Sequence, residues 1–387
     1  MKPSRLKVVT VVGTRPQFVK ASMVSRAFRS HPEIQEILVH TGQHYDSNLS
    51  EIFFAELGIP EPSFHLGIGS GTHGYQIARM LEPIEQVLIQ EQPAWVLVYG
   101  DTNSTLAGAL AASKLHLPLA HIEAGLRSFN RNMPEELNRV LTDHASDLLF
   151  PPTDLAERNL RTEGIAAERI RLVGDVMCDA ARYFQCLAER QSTILDRFQL
   201  DSQRYILATV HRAENTDCGD RLRTILRGLD EAATGLPIIF PLHPRTRSVL
   251  ANLEGFTKLS ERLRFVDPVG YLDMAMLERN ARLIVTDSGG VQKEAFFYSV
   301  PCVTLRTETE WQELIELGWN RLAPPTSANS VATALQKALT ETPRMSRNPY
   351  GDGHAAEHVV QHLLTWRSAE RKAGVPARSA VSANVAT

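Results

Sequence analysis

Apolar positions along the chain fall into short β-branched runs separated by longer stretches of amphipathic spacing, an alternation that repeats from end to end. Runs at 6–12, 35–40, 95–100, 117–122, 147–151 and 169–174 read as strands, and a second series follows at 204–210, 236–242, 262–266, 282–287 and 300–305. Each run is compact, continuous and closed by Gly, Asp, His or Pro, the pattern of a strand buried on both sheet faces with its loop at the carboxyl end. The intervening segments, such as Thr105 to Leu115 and Val291 to Tyr298, carry helical spacing. Alternating strands and helices predict right-handed crossovers and a parallel, doubly wound sheet. Two series predict two Rossmann-like domains, 1–174 and 175–354, with a helical connector at 176–198 after a seam at Gly174-Asp175. Ligands of such sheets sit beyond the carboxyl ends of the strands, so the expected site is a cleft between the domains. From about Ala369 the periodicity stops, and a disordered tail over 369–387 is expected.

A length of 387 residues suits two domains at roughly 150 residues each. The formal net charge of -3 gives no global basic field for nucleic acid or an anionic membrane, so any phosphate must be held locally. Cys178, Cys186, Cys218 and Cys302 are scattered, which argues for reduced thiols and against a metal cage or disulfide framework. The apolar run 7–12 is too short for a signal-peptide core, and a cytoplasmic protein is expected.

Candidate chemistry gathers at the strand ends. The first strand runs into Gly13-Thr14-Arg15-Pro16, with Lys20 one turn on. Free N–H groups at the helix start and two cations would face one mouth; surface cations at a βα turn are the competing reading. Asp101, in Gly100-Asp101-Thr102-Asn103-Ser104-Thr105, is either a helix N-cap or a working carboxylate. Glu123, in His121-Ile122-Glu123-Ala124-Gly125-Leu126-Arg127, and Glu135, in Pro134-Glu135-Glu136, place more acid at the same edge. Carboxylates crowded together raise one another's pKa, which suits proton transfer. For Glu136 and Arg139 a salt-bridged surface is the favoured reading.

In the second series His211-Arg212, with Glu214, closes a strand, whereas His243 reads as structural. Thr286-Asp287-Ser288-Gly289-Gly290-Val291-Gln292-Lys293-Glu294 joins a strand end, a tight turn and a helix start. That is an anion site made of amides, with Glu294 placed for ribose hydroxyls. No Lys-Ser/Thr follows the glycines and no G-x-G-x-x-G opens the first loop, so neither a Walker loop nor a nicotinamide fingerprint is present.

Taken in order, these motifs, with Asn348-Pro349-Tyr350-Gly351-Asp352-Gly353, resemble the non-hydrolysing UDP-N-acetylglucosamine 2-epimerases over residues 6 to 365. The resemblance implies the glycosyltransferase-B architecture, with a C-terminal helix, about 355–368, crossing back onto the first domain. It also implies a homodimer, a UDP-amino sugar substrate and no metal or redox cofactor. Carried over by position, Asp101, Glu123, Glu135 and His211 are the implied catalytic set. Arg15, Lys20 and Arg212 are implied diphosphate or sugar contacts, and Ser288, Gly289, Gly290 and Glu294 the UDP cradle. The family reaction removes the C2 proton as UDP leaves C1, then returns UDP with a proton on the opposite face of C2.

Several positions depart from the best-known members. Gln17 and Phe18 stand where those carry Glu and Ala, Trp311 replaces an Arg, and Met274 replaces a Phe that contacts uracil. The allosteric Gln-His segment survives as Gln43-His44 followed by Tyr45-Asp46-Ser47-Asn48, and the stretch from Arg127 to Pro134 is short. These features resemble the branch acting on UDP-2,3-diacetamido-2,3-dideoxy-glucuronic acid for O-antigen synthesis. A glycosyltransferase of the same architecture, a hydrolysing epimerase and a non-catalytic nucleotide-sugar sensor are the rival readings.

Overall fold

The structure, a computed structural model, describes residues 5–43, 56–232, 235–242, 244–251, 262–341, 343 and 347–372. The chain forms two compact units, Met1–Ala180 with Pro349–Thr387, and Ala181–Asn348. The first holds a six-stranded sheet of β1 (Leu6–Val12), β2 (Ile34–His40), β3 (Phe64–His65), β4 (Trp95–Tyr99), β5 (Leu119–Ile122) and β6 (Leu148–Phe150), in the order β3-β2-β1-β4-β5-β6. The second holds β7 (Ile206–Thr209), β8 (Ile238–Pro241), β9 (Leu263–Val266), β10 (Leu283–Thr286), β11 (Cys302–Thr304) and β12 (Asn320–Leu322), in the order β12-β11-β10-β7-β8-β9. Every pairing among them is parallel.

Counted from its own first strand, each sheet follows the same doubly wound order. The winding reverses between β1 and β4 in one, and between β7 and β10 in the other. Loops at those carboxyl ends diverge and leave a crevice at the switch point. The register brings the ends level: Thr10 lies beside Leu97, and Thr209 beside Thr286.

Continuous apolar strands are what two covered faces require. Val8, Val9, Val11 and Val12 of β1 and all five residues of β4 are fully buried. The Asn103–Lys114 helix that crosses them carries Gly108 between alanines and lies close on the sheet, where a Cβ on Gly108 would stand 3.1 Å from Val98. In the second unit Leu222, Ile225, Leu226 and Leu229, spaced for one helix face, pack on the strands.

Two expectations change, and a third, the helical connector at 176–198, is met in two pieces. Residues 169–174 form no strand: Ile170 makes one bridge to Leu149, then the chain turns away at Gly174 (φ +88°) so that Asp175 N donates to Tyr350 O at 3.0 Å. The connector is two helices, Val176–Gln191 and Ile194–Phe198, broken where Ser192 Oγ takes the Ile194 N–H at 3.2 Å. The last helix, Ala355–Lys372, continues past Ala369, and 373–387 lie outside the described residues.

That last helix belongs to the first unit. Trp95 Nε1 donates to Leu363 O at 3.3 Å, and Asp179 of the Val176–Gln191 helix accepts from Ala356 N at 2.8 Å. Burial pushes the Asp179 carboxyl from 3.8 up to about 6. The folded chain therefore binds this proton more tightly than the unfolded chain, and the contribution to stability is full below about 4 and lost as pH rises through about 6. The melting temperature of wild type relative to Asp179→Asn is expected to fall between pH 4 and 7, measured by calorimetry across that range.

Candidate active site

The first switch point carries the acids. Lys20 and Glu123 form a buried ion pair. Glu123 has φ +69°, a conformation that costs a non-glycine residue of order 1 kcal/mol, and it sits where β5 ends. Gly100 (φ +62°) lies against that pair: a Cβ there would stand 3.0 Å from Glu123 Oε2 and 3.1 Å from Lys20 Nζ. His121 holds the same turn from below, with Nε2 2.8 Å from Gly100 O and Nδ1 2.7 Å from Asp143. Gly100→Ala is expected to lower turnover at least about tenfold by displacing the Lys20–Glu123 pair, with a lowered melting temperature; steady-state kinetics and a thermal melt check both.

Asp101 is not the cap of the following helix. Thr102 is, its hydroxyl accepting from Thr105 N at 3.3 Å. The Asp101 carboxylate instead receives Arg139 Nε and Nη2 at 3.0 and 2.7 Å. Arg139 Nη1 reaches Glu136 at 2.7 Å, and Glu136 also accepts from Ser128 N and Phe129 N, each at 2.9 Å. The Glu136–Arg139 pair is thus buried, at 4% and 2% exposure, rather than a surface bridge. Burial pushes the Glu136 carboxyl up, but the Ser128 amide and the Arg139 charge outweigh it and hold it below the usual range. Mutual crowding of the acids is replaced by matching, since Glu123 and Asp101 each face a cation. Glu135 is half-buried in the first turn of the Pro134–Ala145 helix and has no ion-pair partner among the described residues.

The first loop also differs from expectation. Arg15 opens the Arg15–Arg29 helix and is half-buried, but the Gly13 and Thr14 N–H groups are not free for a ligand. Gln17 Oε1 accepts both, at 2.8 and 3.2 Å. Gln43 is likewise engaged, accepting from Ser104 N and Oγ at 2.9 and 2.7 Å. Residues 44–48 and His243 lie outside the described residues.

At the second switch point a fully buried carboxylate does the organising. Asp287 accepts from His211 N at 3.1 Å, Arg212 N at 3.0 Å and Asn215 Nδ2 at 2.9 Å, and its carbonyl takes Arg212 Nε at 2.9 Å. His211 Nδ1 lies 3.4 Å from Asp287 Oδ1, with 39% of the side chain exposed. Ser288 caps the Gly289–Phe297 helix, so Gly289 and Gly290 form its first turn. Trp311 Nε1 braces that turn through Gly289 O at 3.0 Å, while Lys293 Nζ sits 4.2 Å over the indole ring. Glu294 is buried and accepts from Tyr271 OH at 3.1 Å; burial pushes its carboxyl up. Met274, half-buried, lies on the Tyr271–Asn280 helix that carries Tyr271.

Arg139, Asp287 and Gln17 are the structural partners that sequence reasoning did not assign to the site. Each left a trace: Arg139 three residues after Glu136, Asp287 at a strand end, and Thr14-x-x-Gln17 as a capping-box spacing. Among the described residues no helix is long and apolar enough to cross a membrane, and no group of His, Cys, Asp and Glu is arranged to hold a metal ion.

Two Rossmann-like units of one strand order, each with polar residues gathered at its switch point, define a two-domain α/β protein of the glycosyltransferase-B type. The sequence profile described as UDP-N-acetylglucosamine 2-epimerase matches residues 26–364. A Pseudomonas aeruginosa protein named UDP-2,3-diacetamido-2,3-dideoxy-D-glucuronate 2-epimerase is 50% identical over 364 residues, covering 92% of this chain and 99% of its own. The UDP-N-acetylglucosamine 2-epimerase of Methanocaldococcus jannaschii is 45% identical over 367 residues, covering 93% and 99%. Its crystal structure with UDP-GlcNAc and UDP superposes with a TM-score of 0.87 over 93% of this chain and 99% of that one. The chain belongs to the UDP-N-acetylglucosamine 2-epimerase family.

Proposed function

We propose that this chain is a non-hydrolysing 2-epimerase of a UDP-linked 2-acetamido sugar. The observation that carries the reading is the acid set of the first sheet, Asp101 and Glu123 each matched to a cation and Glu135 with no ion-pair partner among the described residues, in a chain of this family. A transferase needs one base and an acceptor; three acids at one sheet edge suit a proton that leaves one face of a carbon and returns to the other.

In this reading a carboxylate takes the C2 proton, the C–H electrons form the C1–C2 double bond, and the C1–O electrons leave with the β-phosphate of UDP. Re-addition reverses these steps with a proton supplied to the opposite face of C2. Asp101, Glu123 and Glu135 share the acid and base work. The Ser288-Gly289-Gly290 turn offers helix N-terminal amides to the diphosphate, Glu294 and Met274 receive the nucleoside, and Arg15, Lys20 and Arg212 supply cations. His211, oriented by Asp287, steadies the leaving diphosphate.

A second reading, the same chemistry on UDP-2,3-diacetamido-2,3-dideoxy-glucuronate, is supported by the 50% identity to the Pseudomonas protein of that name. Incubating the protein with each UDP-sugar and following the products by NMR decides. Interconversion of the C2 epimers without free sugar supports the reading, and the faster substrate identifies the branch. Inertness towards both, or release of free sugar, contradicts it. The enzyme is taken to be a cytoplasmic homodimer; the exposed Leu137 and Leu141, one helical turn apart, support self-association.

A further inference from the structure

Gln17 is almost fully buried, in the first turn of the Arg15–Arg29 helix, and its side-chain amide joins two loops that are distant in sequence. On one side Oε1 accepts the N–H groups of Gly13 and Thr14 at 2.8 and 3.2 Å, in the loop that carries Arg15. On the other, Nε2 donates to Tyr99 O and to Thr105 Oγ1, both at 2.9 Å, on either side of Asp101. Thr105 Oγ1 in turn donates to Tyr99 O at 2.7 Å and receives the Thr102 N–H at 3.2 Å.

The partners fix which atom is which. Two N–H donors face one end of the Gln17 fork, so that end is the oxygen. A carbonyl faces the other, so that end is the nitrogen. In this chain the position thus holds an acceptor and a donor on the same planar group. A carboxylate supplies only acceptors, and would set a lone pair against the Tyr99 carbonyl unless it took up a proton.

We propose that Gln17 is a positioning residue for the reaction: its amide sets the Arg15 and Lys20 turn against the Asp101 turn, and holds that register at every working pH because an amide does not titrate. The proposal rests on the epimerase reading for the roles of Arg15, Lys20 and Asp101. At 1% exposure Gln17 has almost no surface to offer a substrate. It acts by fixing where two loops stand, and a displacement of about 1 Å in such a site costs up to roughly a hundredfold in rate.

The test compares wild type, Gln17→Glu and Gln17→Met in full-length protein, measuring kcat and melting temperature from pH 5.5 to 9. Gln17→Met loses donor and acceptor, and its kcat is expected to be at least about tenfold lower at every pH. Gln17→Glu is expected to approach wild-type kcat at the acid end, where the protonated carboxyl can donate to Tyr99 O. It should fall towards the Met variant as pH rises, through an ionisation that wild type lacks. An acid whose folded pKa is raised loses stability with rising pH, so the melting temperature of Gln17→Glu relative to wild type should fall over the same range. Profiles of Gln17→Glu parallel to wild type in both measurements would overturn the proposal, as would wild-type kcat in Gln17→Met. If Gln17→Met does not fold, the Gln17→Glu profiles alone decide. If wild type epimerises no UDP-sugar, the functional reading fails, and the melting series still reports on the amide.

Discussion

Glu135→Gln and Asp101→Asn are each expected to lower kcat for epimerisation by at least about a hundredfold, the scale of a lost acid or base. The two substitutions differ in what else they disturb. Glu135 is in no ion pair among the described residues, so Gln in its place removes only the charge and the proton. The melting temperature should stay within a degree or two of wild type. Asp101 also receives the Arg139 fork, and its side chain is 29% exposed, so Asn there gives up a partly solvated ion pair worth about 1 kcal/mol at most. Steady-state kinetics paired with thermal melts separates chemistry from stability: a hundredfold loss of kcat without matching unfolding assigns the groups to the reaction. Near-wild-type turnover in either variant would remove that residue from the acid–base set.

Arg139→Met is expected to be the most damaging single change to the fold of the first switch point. The guanidinium is 2% exposed and joins Asp101 to the equally buried Glu136. Removing it leaves Glu136 charged and buried with only the Ser128 and Phe129 donors, and such orphaned charges cost about 3–5 kcal/mol. A second change tests the cause. Glu136→Gln removes the orphaned charge and keeps an oxygen for one of the two amides, which reach different carboxylate oxygens, so the double variant Arg139→Met, Glu136→Gln should recover part of the stability but little of the activity, because Asp101 remains unanchored. Urea titrations of the two single variants and the double variant give the coupling directly. Additive losses would show that Arg139 and Glu136 do not act as a unit.

How far the sequence revealed this arrangement depended on whether the signal was local. β1 and β4 were legible because strands covered on both faces must be apolar at every position, and Val8 to Val12 and Trp95 to Tyr99 are nearly so. The same rule misread 169–174: Ile170 and Val173 are buried, but burial of an apolar residue does not require a ladder, and here the chain leaves the sheet edge for Tyr350. β3 has only two residues, and β12, Asn320-Arg321-Leu322, lacks the continuous apolar run that marked the others.

For the candidate site, residue types at strand ends pointed to Asp101, Glu123, His211 and the Ser288-Gly289-Gly290 turn. The partners that orient them were hidden, because they come from neighbouring strands and helices. Asp287 acts on His211 only because β10 lies beside β7, and Arg139 acts on Asp101 across 38 positions of sequence. Charge alone also cannot announce burial, which is why Glu136 and Arg139 read as surface groups.

Running the reaction in deuterated water tests the central claim most directly, because carbon-bound hydrogen at C2 exchanges only if it is removed as a proton. With UDP-sugar, no acceptor and no added metal or redox cofactor, the account predicts one deuterium at C2 of the product epimer, with the diphosphate linkage intact. Inversion that retains the original hydrogen at C2, or sugar released from UDP without exchange, would contradict it.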